Sequence, residues 1–106
     1  MPYELITVEE QDGYAIITMN NPARRNALSL KHMRELTQAF REVGESSARG
    51  VMFAGNGPVF SAGHDFADMV GQDLVCTRRI LQVCTEMMNT IQEIPQPVLA
   101  RVHGLA

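Results

Sequence analysis

The sequence predicts an α/β fold, and three observations predict it. Tyr14–Met19 is a run rich in Ile, Thr and Tyr. Leu30, Met33, Leu36, Ala39, Phe40 and Val43 then recur at helical spacing. Val51-Met52-Phe53-Ala54 is a continuous apolar run, as in a strand covered on both faces. Strand, helix and strand in that order describe a βαβ crossover with a right-handed connection.

Each element carries its own signal. Residues 3–9 alternate loosely, and Asp12-Gly13 separates them from the next run, the mark of an antiparallel hairpin. Asn20-Asn21-Pro22 ends the second strand, because the residue before proline avoids the helical region. A short basic connector over residues 23–28 follows. Ser29 is then a good N-cap, its hydroxyl able to take an unpaired amide of the first turn. Gly44 suits the position just past the helix. After the apolar run come Gly55, Gly57, Pro58 and Gly63, a loop, and residues 65–70 read as a short helical turn. From Asp73, positions Thr77, Ile80, Leu81, Cys84, Met87, Met88 and Ile91 form the apolar face of a long helix ending near Glu93. Pro95 and Pro97 block its continuation. Val98-Leu99-Ala100-Arg101-Val102 is another buried strand, leading into His103-Gly104-Leu105-Ala106.

With 106 residues the chain suffices for one small domain, and 45% hydrophobic with 20% charged residues is ordinary for a globular one. A net charge of −3 gives no electrostatic reason to expect nucleic acid or an anionic membrane as partner. No apolar run approaches the ~20 residues that span a bilayer, and residues 1–5 carry no basic segment or signal-type core, so a cytoplasmic location is expected. Cys76 and Cys84 lie on one helix about 80° and about 12 Å apart, beyond disulfide reach, and no Cys/His spacing resembles a metal site. The hairpin, two further strands and two helices ask for more sheet partners than they supply. A fragment, or a subunit completed by something else, is therefore expected.

The glycine loop admits two readings. It is a strand-to-helix turn with Asp65 as a first-turn partner of the helix dipole, or it presents the His64 amide to a carbonyl oxygen at a helix N-terminus. Glycines let the backbone come close to a ligand. The loop lacks the GxxxxGK[ST] and GxGxxG phosphate patterns. Among acids, Asp68 follows Asp65 by a turn and faces a ligand pocket on the second reading, while Glu86 and Glu93 sit on the long helix. No pair has a spacing that argues acid–base work. Met69, Met87 and Met88 read as core filling or as the lining of such a pocket.

Three segments resemble the crotonase superfamily, the enoyl-CoA hydratase/isomerase family. Residues 21–29, Asn-Pro-Ala-Arg-Arg-Asn-Ala-Leu-Ser, resemble its NP-x-[KR]-[KR]-NAL connector. Residues 57–66, Gly-Pro-Val-Phe-Ser-Ala-Gly-His-Asp-Phe, resemble its G-x-x-F-[SC]-A-G-x-D-[IL] loop. Residues 95–106 resemble its P-K-P-V-I-A-A-V-x-G-x-A strand. The order and spacing make the set specific where each alone is weak.

The resemblance implies a crotonase-like spiral of ββα units, of which residues 1–106 supply the N-terminal portion. It implies that the backbone amide of His64 donates to a thioester oxygen, with the imidazole not the acting group. Arg24 and Arg25 lie near the phosphates of coenzyme A, and Ala27, Ala62, His64, Asp65 and Phe66 along the bound acyl-CoA. A second oxyanion amide and the acids of hydratases fall beyond Ala106. The implied activity is enoyl-CoA hydration in fatty-acid metabolism. Another crotonase reaction (isomerase, decarboxylase or hydrolase) and a non-catalytic CoA-binding or interaction module are the alternatives. Coenzyme A arrives as part of the substrate, so no separate cofactor is expected. The complete protein is expected to form trimers or hexamers, and the 106 residues alone to be inactive.

Overall fold

A computed structural model describes residues 3–68 and 70–106 of the chain. Met69 and the side chain of Asp68, both candidates for an acyl pocket, lie outside the described residues. The elements are β1 (Ile6–Gln11), β2 (Tyr14–Met19), α1 (Leu30–Gly44), β3 (Val51–Gly55), α2 (Leu74–Glu93) and β4 (Val98–Ala100). They form one sheet in the order β1-β2-β3-β4, with β1 antiparallel to β2 and the other two pairings parallel. The β2-α1-β3 unit is the crossover that the sequence predicts.

The hairpin turns at Asp12 and Gly13, with φ of 54° and 87°. Two successive positive φ values match the twist of the flanking strands, and the Asp-Gly pair tolerates them. The Ser29 side chain accepts the His32 amide at 3.1 Å and starts α1. The apolar face of α1 then lies on the sheet: Met33, Leu36 and Phe40 are fully buried beside Ile17 and Met19. Phe40 meets Phe53 edge-on at 5.4 Å, and Phe53 meets Phe60 at 5.4 Å. This aromatic row runs from the core out to the glycine loop.

Two expectations shift. The last strand is three residues long, because pairing with β3 stops at Phe53↔Ala100; beyond it Arg101 N–H still reaches back, to the Phe53 carbonyl at 2.8 Å. On α2, Ile80 and Met87 are buried and Cys84 and Ile91 half-buried, whereas Leu81 and Met88 are exposed. A helix lying on α1, rather than flat on the sheet, covers a narrower stripe. The linker between α2 and β4 is tied by Gln96, whose buried amide donates to the Val43 carbonyl at 2.9 Å and the Ala48 carbonyl at 3.1 Å.

Candidate functional site

Parallel strands run out of the sheet at Met19 and Gly55, and the two connectors that leave them meet. The meeting is organised by Asn26. It is fully buried with φ of 54°, a left-handed value that asparagine adopts more readily than most residues. Its amide nitrogen donates to the carbonyls of Asn56 at 2.8 Å, Val59 at 3.3 Å and Phe60 at 3.1 Å, and its oxygen accepts the Asn21 amide at 2.8 Å. One side chain thus stitches the basic connector to the glycine loop. Ser61 adds a second stitch: its hydroxyl donates to the Asn26 carbonyl at 3.0 Å and accepts the Gly63 amide at 3.1 Å.

The two segments then run side by side. Ala62 N–H donates to the Arg25 carbonyl at 2.9 Å, Leu28 N–H to the Gly63 carbonyl at 2.7 Å, and Asp65 N–H to the Leu28 carbonyl at 3.1 Å. Leu28 and His64 are partners in a parallel β-bridge. The peptide between Gly63 and His64 is trans, as are all described peptides. In a trans peptide the C=O and N–H point opposite ways. With the Gly63 carbonyl held on Leu28, the His64 N–H points away from Leu28. No described residue accepts a hydrogen bond from it. Its side chain is half-buried, and Gly63, at φ 89°, has open space where a Cβ would project.

This geometry corrects the helix N-terminus reading. After Gly63 the described residues form a three-residue 3-10 turn, Phe66–Asp68, closed by the Val70 N–H on the Phe66 carbonyl at 3.0 Å, and α2 starts later, at Leu74. A helix dipole does not act on the His64 amide; the bridge to Leu28 aims it. The glycines also divide in role. A Cβ on Gly55 would lie 2.6 Å from the Phe60 carbonyl oxygen, and one on Gly57 would lie 2.6 Å from Pro22 Cβ. Both answer to close packing within the chain, whereas Gly63 faces open space.

Arg24 and Asp65 are brought together. The Arg24 fork donates to both Asp65 oxygens, at 3.0 and 2.7 Å. The side chain of Asp65 is 8% exposed and that of Arg24 52%. The Arg24 guanidinium holds the Asp65 carboxyl below the usual carboxylate range, against an opposing push from burial, and the Ala67 amide at 2.9 Å adds to the lowering. Asp65 is therefore an ionised anchor with its oxygens occupied, unsuited to moving protons. Because Arg24 is half in water, Asp65→Asn is expected to cost about 1 kcal/mol in a denaturant titration, less than a buried charge pair. A depressed carboxyl stabilises above the unfolded value of 3.8 and loses that contribution as pH falls below it. Arg25 is exposed with φ of 53°, Ala27 is buried, and Ala62 and Phe66 are exposed. Among the other acids, Glu86 pairs with Arg41 of α1.

Beside the loop, between the sheet and α2, lies a cavity of about 370 Å³ lined by Leu28, Phe53, Phe60, Met87, Met88 and Ile91, among others. It shares Leu28 and Ser61 with the bridge region.

Sequence reasoning passes over two residues here. Asn26 shows in the sequence as one residue of a basic connector, with no local pattern to mark its contacts. His32 is fully buried. It stands three residues after the Ser29 cap and in helical step with Leu36, Phe40 and Val43, and that spacing is the signal for it. Burial lowers its basicity, opposed by the Ala27 carbonyl and by Glu35. A histidine whose folded value is lowered stabilises above its unfolded value of 6.5 and loses that contribution as pH falls through the window beneath it. Stability measured by urea titration is thus expected to decline below pH 6.5 in the wild-type chain and to decline less in His32→Phe.

Known proteins fit this frame. The profile of the enoyl-CoA hydratase/isomerase family matches residues 9–106. An enoyl-CoA hydratase domain-containing protein 3, mitochondrial, of Danio rerio is 38% identical over 96% of the chain and 36% of its own length. A mitochondrial Delta(3,5)-Delta(2,4)-dienoyl-CoA isomerase of Pongo abelii is 30% identical over 96% of the chain and 35% of its own. The crystal structure of an enoyl-CoA hydratase of Mycobacterium smegmatis superposes with a TM-score of 0.91 at 36% identity, over 95% of this chain and 40% of that one. The chain spans little more than a third of the length of these relatives. It has the crotonase fold and belongs to the enoyl-CoA hydratase/isomerase family.

Proposed function

We propose that the chain carries the acyl-CoA loop of an enzyme that polarises a thioester, with the His64 amide as one oxyanion donor. The single observation that supports this is an N–H turned away from Leu28, on a backbone fixed on both sides, with no acceptor among the described residues. A donor preorganised in this way spends no reorganisation energy when negative charge develops on the thioester oxygen. The exposed Arg25 side chain suits the phosphates of coenzyme A, while the Arg24 fork is held on Asp65. Ala62 and Phe66 border the path of the bound ligand, and the cavity beside Leu28 takes the acyl chain. The thioester brings its own coenzyme A, so this reading calls for no further cofactor. Assembly into trimers belongs to the same reading of the complete protein.

Hydration of a 2-enoyl-CoA is the reaction we assign to the complete protein, in keeping with the hydratase names of its relatives. Double-bond migration is the second reading, favoured by similarity to the dienoyl-CoA isomerase. Both reactions pass through charge on the same oxygen. Calorimetry with a saturated acyl-CoA thioester and its thioether analogue, which lacks the carbonyl, tests the site. The thioester is expected to bind the chain about tenfold more tightly. Equal affinity, or no binding of either, contradicts the reading. Turnover of a 2-enoyl-CoA against a 3,5-dienoyl-CoA by the complete protein decides between the reactions.

A further inference from the structure

His32 stands at the root of the hydrogen bonds that aim the His64 amide. Its Nδ1 lies 3.2 Å from the Ala27 carbonyl oxygen. A carbonyl only accepts, so Nδ1 carries the proton. The peptide joining Ala27 to Leu28 is trans, so its N–H leaves on the opposite side from that carbonyl. This N–H is the one that donates to the Gly63 carbonyl at 2.7 Å. The peptide joining Gly63 to His64 repeats the geometry and ends in the outward N–H. Imidazole, peptide and peptide form one line of donors running head to tail.

We infer that His32 is a positioning residue that orients and polarises the oxyanion donor through this two-peptide relay. The inference rests on the acyl-CoA reading for its purpose and on the geometry alone for its existence. Hydrogen bonds in series strengthen one another, by an order of 10–30% per bond. Each member here pulls electron density toward the imidazole and leaves the last N–H a stronger donor. Two further contacts fix the arrangement. Ser29 N–H also donates to the Ala27 carbonyl, at 3.1 Å, so both lone pairs of that oxygen are engaged. His32 N–H donates to the Ser29 hydroxyl, which holds the ring at the first turn of α1.

The other ring nitrogen explains why the donor is permanent. Among the described residues, His32 Nε2 is buried without a hydrogen-bond partner. Protonating it buries a charge whose desolvation outweighs the attraction of Glu35, and moving the Nδ1 proton to it leaves Nδ1 facing a carbonyl that has no proton to give. The neutral Nδ1–H tautomer is the one this site accepts. An apolar side chain of similar size fills the same space but starts no relay.

Nuclear magnetic resonance of the whole chain tests this without any ligand. The readouts are the scalar coupling across the Leu28 N–H to Gly63 carbonyl bond and the shift of the His64 amide proton. In His32→Phe the coupling is expected to weaken and the His64 proton to move upfield, with the hairpin amides near Gly13 unmoved. His32→Asn, whose amide nitrogen takes the place of Nδ1, restores both. His32→Gln, whose amide reaches the Nε2 place instead, does not. The asparagine and glutamine pair keeps the comparison open if the phenylalanine variant does not fold. Coupling and shift that are the same in the asparagine and glutamine variants, or unchanged in His32→Phe, overturn the relay.

A carbon-13 label at the thioester carbonyl then reads the consequence by infrared spectroscopy. The carbonyl stretch of bound acyl-CoA is expected to rise in His32→Phe and thioester affinity to fall about threefold. A stretch that does not move contradicts the polarising role. Failure of the wild-type chain to bind acyl-CoA counts against the proposed function, whereas the coupling decides the relay independently.

Discussion

Replacing His64 with proline is expected to abolish thioester polarisation, and replacing it with alanine to leave most of it. Proline has no N–H, and alanine keeps the one that matters. The loss is specific because the His64 N–H is not used to hold the fold: among the described residues nothing accepts from it. The neighbours that do hold the fold, the Gly63 carbonyl and the Asp65 amide, keep their acceptor and donor in both variants, and the melt reads any added restriction of Gly63 by the proline ring. One oxyanion donor is worth about 2.7–4 kcal/mol in the transition state, so the complete enzyme carrying His64→Pro should lose about 10²–10³ in kcat. The measurement is steady-state kinetics beside a thermal melt. A large kcat loss in His64→Ala with an unchanged melt would instead put the imidazole in the reaction.

The second large effect is on stability. Asn26→Asp preserves the shape of the side chain and removes its donors. Three carbonyls, of Asn56, Val59 and Phe60, then face a carboxylate instead of an amide nitrogen in a site with no exposure to water. A buried polar group without its partner costs about 1–3 kcal/mol, and more when a charge is involved. The substitution is therefore expected to cost about 4 kcal/mol or more, a large share of what a small domain has. Urea titration of the variant at neutral pH measures it. Asn26→Ala should be milder, since water or a settled backbone answers some of the carbonyls and no charge is buried. If Asn26→Asp is the milder of the two, Asn26 does not hold the two connectors together as described.

Residues that act through their immediate neighbours in the chain are legible in the sequence itself. Asp12-Gly13 specifies its own turn, Ser29 caps its own helix, and the apolar spacing of α1 picks out the face that lies on the sheet. The glycine loop is legible as a place and not as a mechanism. Its outward amide is set by Leu28, which belongs to a segment far earlier in the chain, and no local pattern in residues 57–66 reports that partner. The same holds for Arg24 and Asp65. Each reads singly as a surface charge or a helix-turn acid, and only the fold brings the fork onto the carboxylate. Asn26 ties the site together with little local signature, because its partners are backbone groups, which every residue has. The short β4 is illegible for a related reason: strand length depends on where the neighbouring strand stops.

The function of the loop turns on one proton. On the proposed function, the His64 amide is the donor to the thioester oxygen, and the flanking amides are not. Titrating the nitrogen-15-labelled chain with an acyl-CoA thioester, and in parallel with the thioether lacking the carbonyl, tests it directly. The His64 amide proton is expected to move downfield with the thioester and to stay in place with the thioether, while the amides of Leu28 and Asp65, already bonded to Gly63 and Leu28, keep their shifts with both. The same His64 shift with both ligands, or none with the thioester at saturation, would contradict the assignment of His64 as the donor.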